Sequence, residues 1–124
     1  MWVEGAWHSG APNTPGLRKG PFLFVSGAVP IDLATGESVG TDIGEQTAQV
    51  IDNIEAVLRA GGASLDDVVK TTVFLTDNSM AKGMNDVYRQ RFAEPFPARS
   101  TFQVGPLSRP EYLIEVEAIA WVGD

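Results

Sequence analysis

Arg99 is the residue of this sequence whose type and position most directly suggest chemistry. It lies in the tetrapeptide PARS, residues 97–100, between a segment with helical periodicity and a segment with strand character. A guanidinium can grip a carboxylate through two parallel hydrogen bonds, so an arginine in such a loop is a candidate for binding an acidic ligand. The same residue can equally be a solvated surface charge, and the tetrapeptide alone leaves both interpretations open.

Other candidate reactive groups are few. The chain has no cysteine and a single histidine, His8, which lies in a glycine-rich N-terminal segment that we expect to be exposed. Thiol nucleophiles, Ser-His-Asp triads and zinc sites are therefore disfavoured. Two carboxylates, Glu115 and Glu117, fall in an otherwise apolar, strand-like segment. A carboxylate in such a place either does acid-base chemistry or joins an ion network.

The overall charge of the chain makes nucleic acids unfavourable ligands. Among 124 residues, 9 are basic and 16 are acidic, which gives a formal net charge of -7. Such a charge repels phosphate backbones and no basic patch offsets it, so nucleic-acid binding is disfavoured. We expect no signal peptide and no membrane span, because no segment is apolar over the required length. The lack of cysteine fits a reducing compartment, and we predict a cytoplasmic location.

Helix-like and strand-like patterns supply the frame for these residues. Asp42 with Glu45 three residues later predicts a capped helix start, and a later glycine pair predicts its end. A second helical stripe runs through residues 79–92. Residues 9–21 are crowded with glycine and proline and predict an irregular connector. Strand patterns, rich in β-branched and apolar residues, occupy residues 22–27, 68–77, 100–105 and 112–122.

The order strand, helix, strand, helix, strand, strand predicts an α+β sandwich, a chorismate-mutase-like or ferredoxin-like mixed sheet with two helices on one face. In residues 112–122 one set of alternate side chains is apolar and suits packing under the helices. The other set is also mostly apolar but includes Glu115 and Glu117, so we expect copies of the chain to associate through that face. We predict a single domain over residues 1–124, with residues 1–20 as an N-terminal arm.

Several motifs occur together in an order typical of one protein family. They are FVSGAVP at 24–30, DIGEQTAQVIDNIEAVLRAGGASLDDVVKTTVFLTD at 42–77, MNDVYRQRF at 84–92, FPARSTFQV at 96–104 and LIEVEAIA at 113–120. Through these motifs the chain resembles the YjgF/RidA family, also called the L-PSP family, of reactive imine and enamine deaminases. The resemblance extends from about residue 20 to residue 122.

The resemblance implies a homotrimer whose sheets form a central barrel, with three clefts between subunits. It also implies hydrolysis of 2-imino acids, tautomers of 2-aminoacrylate-type enamines, to 2-keto acids and ammonia without a metal or organic cofactor. Arg99 would then bind the substrate carboxylate, and Glu115 would position or activate the hydrolytic water. Ser26, Gly27 and Asn85 would line the same cleft. If Arg99 lies near Glu115, its charge favours the ionised carboxylate that a base requires.

Three positions depart from the family pattern. Ala28 stands where a glutamine usually follows the serine-glycine pair, and Thr101 stands where a cysteine is frequent, although its hydroxyl can still hold a water. The aromatic residue common in the N-terminal connector has no clear counterpart around Leu17. Simpler roles stay open for Ser26, as a residue that shapes a turn, and for Asn85, as a solvated or capping amide.

Three classes of function therefore compete. The first is an enzyme, a 2-iminobutanoate/2-iminopropanoate deaminase-like hydrolase whose ligands are small imino and keto acids. The second is a family member that binds small carboxylates and has a different activity or none, which the departures at Ala28 and Thr101 favour. The third, an RNA-acting protein, is the least compatible with the acidic composition.

Overall fold

The fold is a mixed sheet that carries two helices on one face. The structure, a computed structural model, describes residues 1–123. Its elements are β1 (Gly16–Lys19), β2 (Phe22–Ala28), α1 (Ile43–Ala60), β3 (Val68–Leu75), α2 (Ala81–Arg91), β4 (Ala98–Gln103) and β5 (Ile114–Trp121). The strand order is β1-β2-β5-β3-β4, with β3 and β4 parallel and the other neighbours antiparallel. The predicted α+β fold class is confirmed.

The central strand, β5, alternates between two environments along its whole length. Its even-numbered residues are at most 3% exposed and pack under the helices. They are Ile114, Val116, Ala118 and Ala120. Its odd-numbered residues, Glu115 among them, face the opposite side of the sheet, which neither helix of the described residues covers. This is the two-faced strand that the sequence predicts.

Helix α1 begins and ends where its capping residues predict. Asp42 Oδ1 accepts a hydrogen bond from the Glu45 amide at 2.9 Å. Glu45 Oε1 accepts one from the Thr41 amide at 3.1 Å, one residue before the position that a capping box uses. At the other end the chain turns through Gly62 at φ +79, a left-handed conformation that favours glycine. The helix buries an apolar stripe that includes Val50, Ile51, Ile54 and Leu58.

Helix α2 lies beside α1 and completes the core. Met84 and Tyr88 are buried on it, and Phe92, which follows its last turn, stacks on Tyr88 with ring centres 4.4 Å apart. Met80 and Val87, which also belong to the apolar stripe predicted within residues 79–92, are only partly buried. The helix begins later than predicted, because residues 78–80 form a separate 3₁₀ turn.

The N-terminal segment contains a strand where the sequence predicted an irregular connector. Residues 16–19 pair antiparallel with β2, so the sheet has five strands where the sequence predicted four. Gly20, at φ +55, and Pro21 form the two-residue connection between the strands. Glycine at the first position of such a tight turn allows the backbone to reverse without strain. The strand was missed because three of its four residues are exposed and show no apolar alternation.

The side of the sheet opposite the helices carries an aromatic surface. Phe22 and Trp121 meet edge to face with ring centres 5.3 Å apart, and Phe74 stacks near Phe102 at 6.4 Å. Phe22, Phe24, Phe102 and Trp121 are each 37 to 52% exposed. Aromatic side chains grouped in this way on one face are typical of a surface that another molecule covers. We call this side the open face.

Candidate active site

Arg99 lies on β4 and points toward the helix side of the sheet. The sequence predicted a loop here, but β4 begins at Ala98, two residues before the predicted start. In the parallel register with β3, Arg99 is opposite Thr71, which is fully buried on the helix side. Its guanidinium carbon lies 4.8 Å from the centre of the Tyr88 ring, and Nη1 lies 3.8 Å from Met84 Sδ. Arg99 has no hydrogen bond to an oxygen atom within residues 1–123.

The ring beneath the guanidinium is itself held in place. The Tyr88 hydroxyl lies 2.8 Å from Thr71 Oγ1, and both groups are buried. Burial raises the pKa of Tyr88, while the Thr71 hydrogen bond and the charge of Arg99 oppose that rise. The phenol is therefore neutral at physiological pH and presents its face to the cation. Arg99 rests on a fixed aromatic surface.

A small cleft opens beside this guanidinium. It has a volume of about 210 Å³ and is lined by Asn85, Tyr88, Arg89, Phe96, Pro97 and Arg99. We call it the Arg99 cleft. Asn85 Oδ1 is buried there and has no hydrogen-bond partner among the described residues. A buried amide oxygen without a donor is unfavourable, so a ligand or a neighbouring subunit is the natural source of one.

Glu115 occupies a second, larger cavity. This Glu115 cavity has a volume of about 550 Å³, and its walls include Trp7, His8, Ser26, Gly27, Arg109 and Glu115. Burial raises the pKa of Glu115, and the nearby carboxylate of Glu117 raises it further. Glu115 makes no hydrogen bond or ion pair within the part of the chain that the structure describes. A half-buried carboxylate without a partner holds its proton to a higher pH than an exposed one.

The serine-glycine pair lies at an irregularity of β2. The register of β2 against β5 shifts between Val25 and Ala28, which places both residues of the pair in a bulge. Ser26 Oγ donates a hydrogen bond to the Thr14 carbonyl at 2.5 Å, and the Ser26 amide donates to the Pro15 carbonyl at 2.9 Å. The hydroxyl proton of Ser26 is therefore used in a hydrogen bond to the N-terminal arm, and its oxygen can still accept a hydrogen bond from another group.

Gly27 lies directly against the carboxylate of Glu115. A Cβ atom at this position would overlap Oε2 of Glu115. The absence of a side chain therefore allows Glu115 to approach the bulge of β2, and the same two residues line the Glu115 cavity. The structure brings Ser26, Gly27 and Glu115 together in one place.

Arg99 and Glu115 do not share a cavity within one subunit. Glu115 is opposite Phe74 on β3, whereas Arg99 is opposite Thr71, and residues three apart on a strand point to opposite faces. The Arg99 cleft therefore opens on the helix side and Glu115 faces the other side. The expected lowering of the Glu115 pKa by a nearby arginine does not occur in the isolated chain, where the pKa is raised instead.

Comparison with known proteins identifies the family of this chain. Residues 6–122 match the family described as Endoribonuclease L-PSP. The chain belongs to the L-PSP family. A RutC family protein from Pyrococcus abyssi is 51% identical over 122 residues, which are 98% of this chain and 94% of that protein. The resemblance inferred from the motifs is confirmed.

Two further L-PSP proteins are informative. Reactive Intermediate Deaminase A, a chloroplastic protein of Arabidopsis thaliana, is 38% identical over 109 residues, which are 88% of this chain and 58% of that protein. The crystal structure of the YjgF gene product from E. coli matches with a TM-score of 0.87 at 34% identity. That match covers 97% of this chain and 95% of the E. coli chain. The sheet and helices described above are thus those of the L-PSP fold.

The departures from the usual L-PSP pattern fall in different places. Ala28 lines the Glu115 cavity, where it presents a methyl group in place of an amide. Thr101 lies opposite Val73 on the helix side of β4, half-buried, and lines neither of the two cavities. Leu17 lies on β1 and is 50% exposed. Thr101 is therefore the one predicted site residue that lines neither the Arg99 cleft nor the Glu115 cavity.

Three basic residues line these cavities but were not among the predicted site residues. Arg89 lies one helical turn after Asn85, a spacing that in retrospect signals a shared face. Arg109 lines the Glu115 cavity and donates a hydrogen bond to the Gly36 carbonyl at 2.8 Å. No sequence motif around Arg109 indicates that it belongs to a site. His8 was predicted to be exposed, but it is half-buried in the wall of the same cavity.

Two other properties of the described residues bear on ligands. Within residues 1–123, no three histidine, aspartate or glutamate side chains lie close enough together to hold a metal ion. Neither helix of that part of the chain combines the length and the apolar character that crossing a membrane requires.

Proposed function

We propose that this L-PSP protein hydrolyses reactive 2-imino acids, and the 2-aminoacrylate-type enamines that tautomerise to them, to 2-keto acids and ammonia. The observation that carries the proposal is the Arg99 cleft. Its guanidinium lies over Tyr88, lacks an oxygen partner within residues 1–123, and shares the cleft with the unpaired amide oxygen of Asn85. A planar cation held in this state is suited to binding a small carboxylate through two hydrogen bonds. The relative named Reactive Intermediate Deaminase A supports the same reaction.

The proposed chemistry needs one proton acceptor that also returns the proton. A water adds to C2 of the imino acid while Glu115 takes a proton from it. Glu115 passes that proton to the nitrogen, which gives a carbinolamine. Glu115 then takes the hydroxyl proton of the carbinolamine and passes it to the nitrogen as the C–N bond breaks, so ammonia leaves and the oxygen of the water remains as the keto oxygen of the 2-keto acid. Burial moves the pKa of Glu115 upward, in the direction of the working pH at which general acid-base catalysis is most effective, and a neighbouring cation in the assembly described below offsets part of that rise. No metal or organic cofactor enters this reaction.

The proposed site requires more than one subunit, because Arg99 and Glu115 lie on opposite sides of the sheet. We propose a homotrimer in which the open faces form a central barrel and each Arg99 cleft adjoins the Glu115 cavity of a neighbouring subunit. The exposed aromatic side chains of the open face support this assembly. Inside the trimer, Arg99 of one subunit would supply the positive charge that Glu115 lacks in the isolated chain.

Sedimentation equilibrium at micromolar concentration is expected to show a trimer. The physical reason is that an aromatic face of this kind is unfavourable in water, and its burial drives association. A monomer under these conditions would contradict the assembly and, with it, the composite site.

Gly27→Ala is expected to reduce turnover while leaving the fold intact. The new methyl group would displace the Glu115 carboxylate, and the flexible end of that side chain can move without disturbing the backbone. A misplacement of about 1 Å at a reacting group can cost on the order of 100-fold in rate, which is the loss of kcat we expect. The melting temperature should change little.

Gly105→Ala is the matched control for this variant, because a Cβ atom at residue 105 meets no other atom within 4 Å. It should retain the turnover of the unmodified protein. Full turnover in a correctly folded Gly27→Ala protein would show that the position of Glu115 is unimportant.

A second candidate function is binding of small carboxylates without imine hydrolysis. Ala28 favours it, because this methyl group replaces a polar side chain in the wall of the Glu115 cavity. An RNA-cleaving activity, named in the family description, fits the net charge of -7 poorly. Salt-dependent RNA binding would revive that third function.

An ammonia-release assay separates these functions. Imino acids are generated in situ from amino acids by an amino-acid oxidase, and the protein should accelerate ammonia release from them. Binding of a keto acid without acceleration would establish the second candidate instead. Location is a separate proposal: we propose the cytoplasm on the lack of cysteine, although one relative is named as chloroplastic and another as mitochondrial.

A further inference from the structure

The Arg99 cleft contains a second arginine that also lacks an oxygen partner. Arg59 and Arg91 form ion pairs, and Arg18 and Arg109 donate to oxygen atoms. Arg89 makes no hydrogen bond or ion pair within residues 1–123. In the same range the only hydrogen-bond contact of Arg99 is with the Met84 sulfur, and its guanidinium lies over the Tyr88 ring. The two arginines without an oxygen acceptor in residues 1–123 therefore line the same cleft, and no acidic residue of that range lines it with them.

The positions of these two arginines explain how they meet. Arg89 lies on α2 four residues after Asn85, so both side chains leave the same face of the helix. Arg99 reaches the cleft from β4 and is held over Tyr88. Two positive charges in one small cleft repel each other, which raises the electrostatic free energy of the empty cleft. Binding of an anionic ligand offsets this repulsion. A monocarboxylate pairs with one guanidinium and leaves the other without a partner.

We infer that the cleft selects substrates with two acidic groups, such as 2-imino dicarboxylic acids of four or five carbons. The inference rests on the proposed function, in which Arg99 binds the 2-carboxylate. Arg89 then binds the distal carboxylate, and Phe96 and Pro97 pack against the methylene groups between the two ends. The volume of about 210 Å³ lies below that of pockets for drug-sized ligands and suits a molecule of this size.

Binding and turnover of matched ligands test this selection. Calorimetric titration compares 2-oxoglutarate with 2-oxobutanoate, and ammonia release compares the imino acids made by oxidation of glutamate and of 2-aminobutanoate. We expect the dicarboxylate to bind about tenfold more tightly, because one additional charge-assisted contact at a partly solvated arginine corresponds to about one decade. Its kcat/KM should exceed that of the monocarboxylate by a similar factor.

Arg89→Gln should abolish this preference, and Arg89→Lys should restore part of it because the positive charge is retained. Lys82→Gln is the matched control. It removes the same charge from the same helix, at an exposed residue that does not line the cleft, and the preference should persist. Because Arg89 is exposed, high salt should also weaken the preference.

The outcomes separate this inference from the proposed function. If monocarboxylate turnover depends on Arg99 but the dicarboxylate preference is absent, or survives Arg89→Gln, the inference is wrong and imine hydrolysis stands. If neither imino acid is hydrolysed and neither keto acid binds, both are wrong. A preference that Arg89→Gln removes and Lys82→Gln leaves intact supports the assignment of Arg89 to the second carboxylate.

Discussion

Replacing Arg99 by alanine is expected to lower kcat/KM for a 2-imino acid by roughly 30-fold to several thousandfold. The range corresponds to about 2–5 kcal/mol, the cost of leaving one member of a buried charge pair without its partner, at about 1.4 kcal/mol per decade. In the proposed complex the member left behind is the substrate carboxylate. The variant loses both the charge and the two-point geometry that the guanidinium offers.

Arg99→Lys should fall between the unmodified protein and Arg99→Ala. An ammonium keeps the positive charge but presents a single point of contact, and it stacks less well on the Tyr88 ring. Ammonia release measures turnover in both variants, and calorimetric titration with pyruvate measures binding of the product. Both variants should remain folded trimers, because Arg99 is exposed in the subunit and holds no ion pair within residues 1–123.

Arg59→Ala is the control for loss of an arginine as such. Arg59 is exposed, forms only a surface pair with Glu55 at 3.6 Å, and lines neither cavity. This variant should retain full turnover. If Arg99→Ala binds pyruvate as well as the unmodified protein does, Arg99 is a surface charge and the carboxylate site lies elsewhere.

Two features of the fold that depend on residues close together in the sequence were predicted correctly. The alternation along β5 and the cap of α1 at Asp42 are local signals, and both appear in the structure as expected. Strand β1 carries no such signal, since only Gly16 among its residues is buried. Its extended conformation depends on pairing with β2, a tertiary contact that a short polar sequence does not reveal.

The candidate site shows the same division. Motifs alone indicated Arg99, Asn85 and Glu115, and the structure places the first two in one cleft. The alternation along β5 predicted the face of Glu115, but the face of Arg99 was not predictable, because it depends on the parallel register between β3 and β4. A shift of that register by one residue would reverse the face of Arg99. The direction of the Glu115 pKa follows from the same geometry, since it reflects burial without a cation nearby.

Replacing Glu115 by glutamine is expected to lower turnover by about 100- to 10,000-fold, the contribution typical of a general acid-base group. The amide keeps the size of the side chain but cannot take a proton from water. Binding of a keto acid should therefore persist, in contrast to Arg99→Ala. Ammonia release and calorimetric titration with pyruvate measure the two properties separately.

Glu117→Gln is the matched control, because Glu117 is an exposed carboxylate on the same face of β5. Its negative charge raises the pKa of Glu115, so removing that charge should move the acidic limb of the activity profile to lower pH. Turnover at neutral pH should remain. Equal losses of turnover in both glutamine variants would mean that the acidic face, and not Glu115 itself, is what matters.

The pH dependence of stability gives Glu115 a second, independent test. Because burial raises its pKa in the folded protein, the stabilisation from protonated Glu115 is complete below the ordinary pKa of 4.5 and is lost as pH rises through the folded value. Glutamine resembles the protonated form at every pH. In the dissociated subunit, Glu115→Gln should therefore melt at a higher temperature than the unmodified protein at pH 7, and the difference should disappear in acid. In the proposed trimer, where Arg99 of a neighbouring subunit lies beside Glu115, the same substitution removes an ion pair and should instead lower the melting temperature at pH 7. Melting temperatures equal to those of the unmodified protein, both at protein concentrations that favour the subunit and at those that favour the trimer, would contradict both expectations.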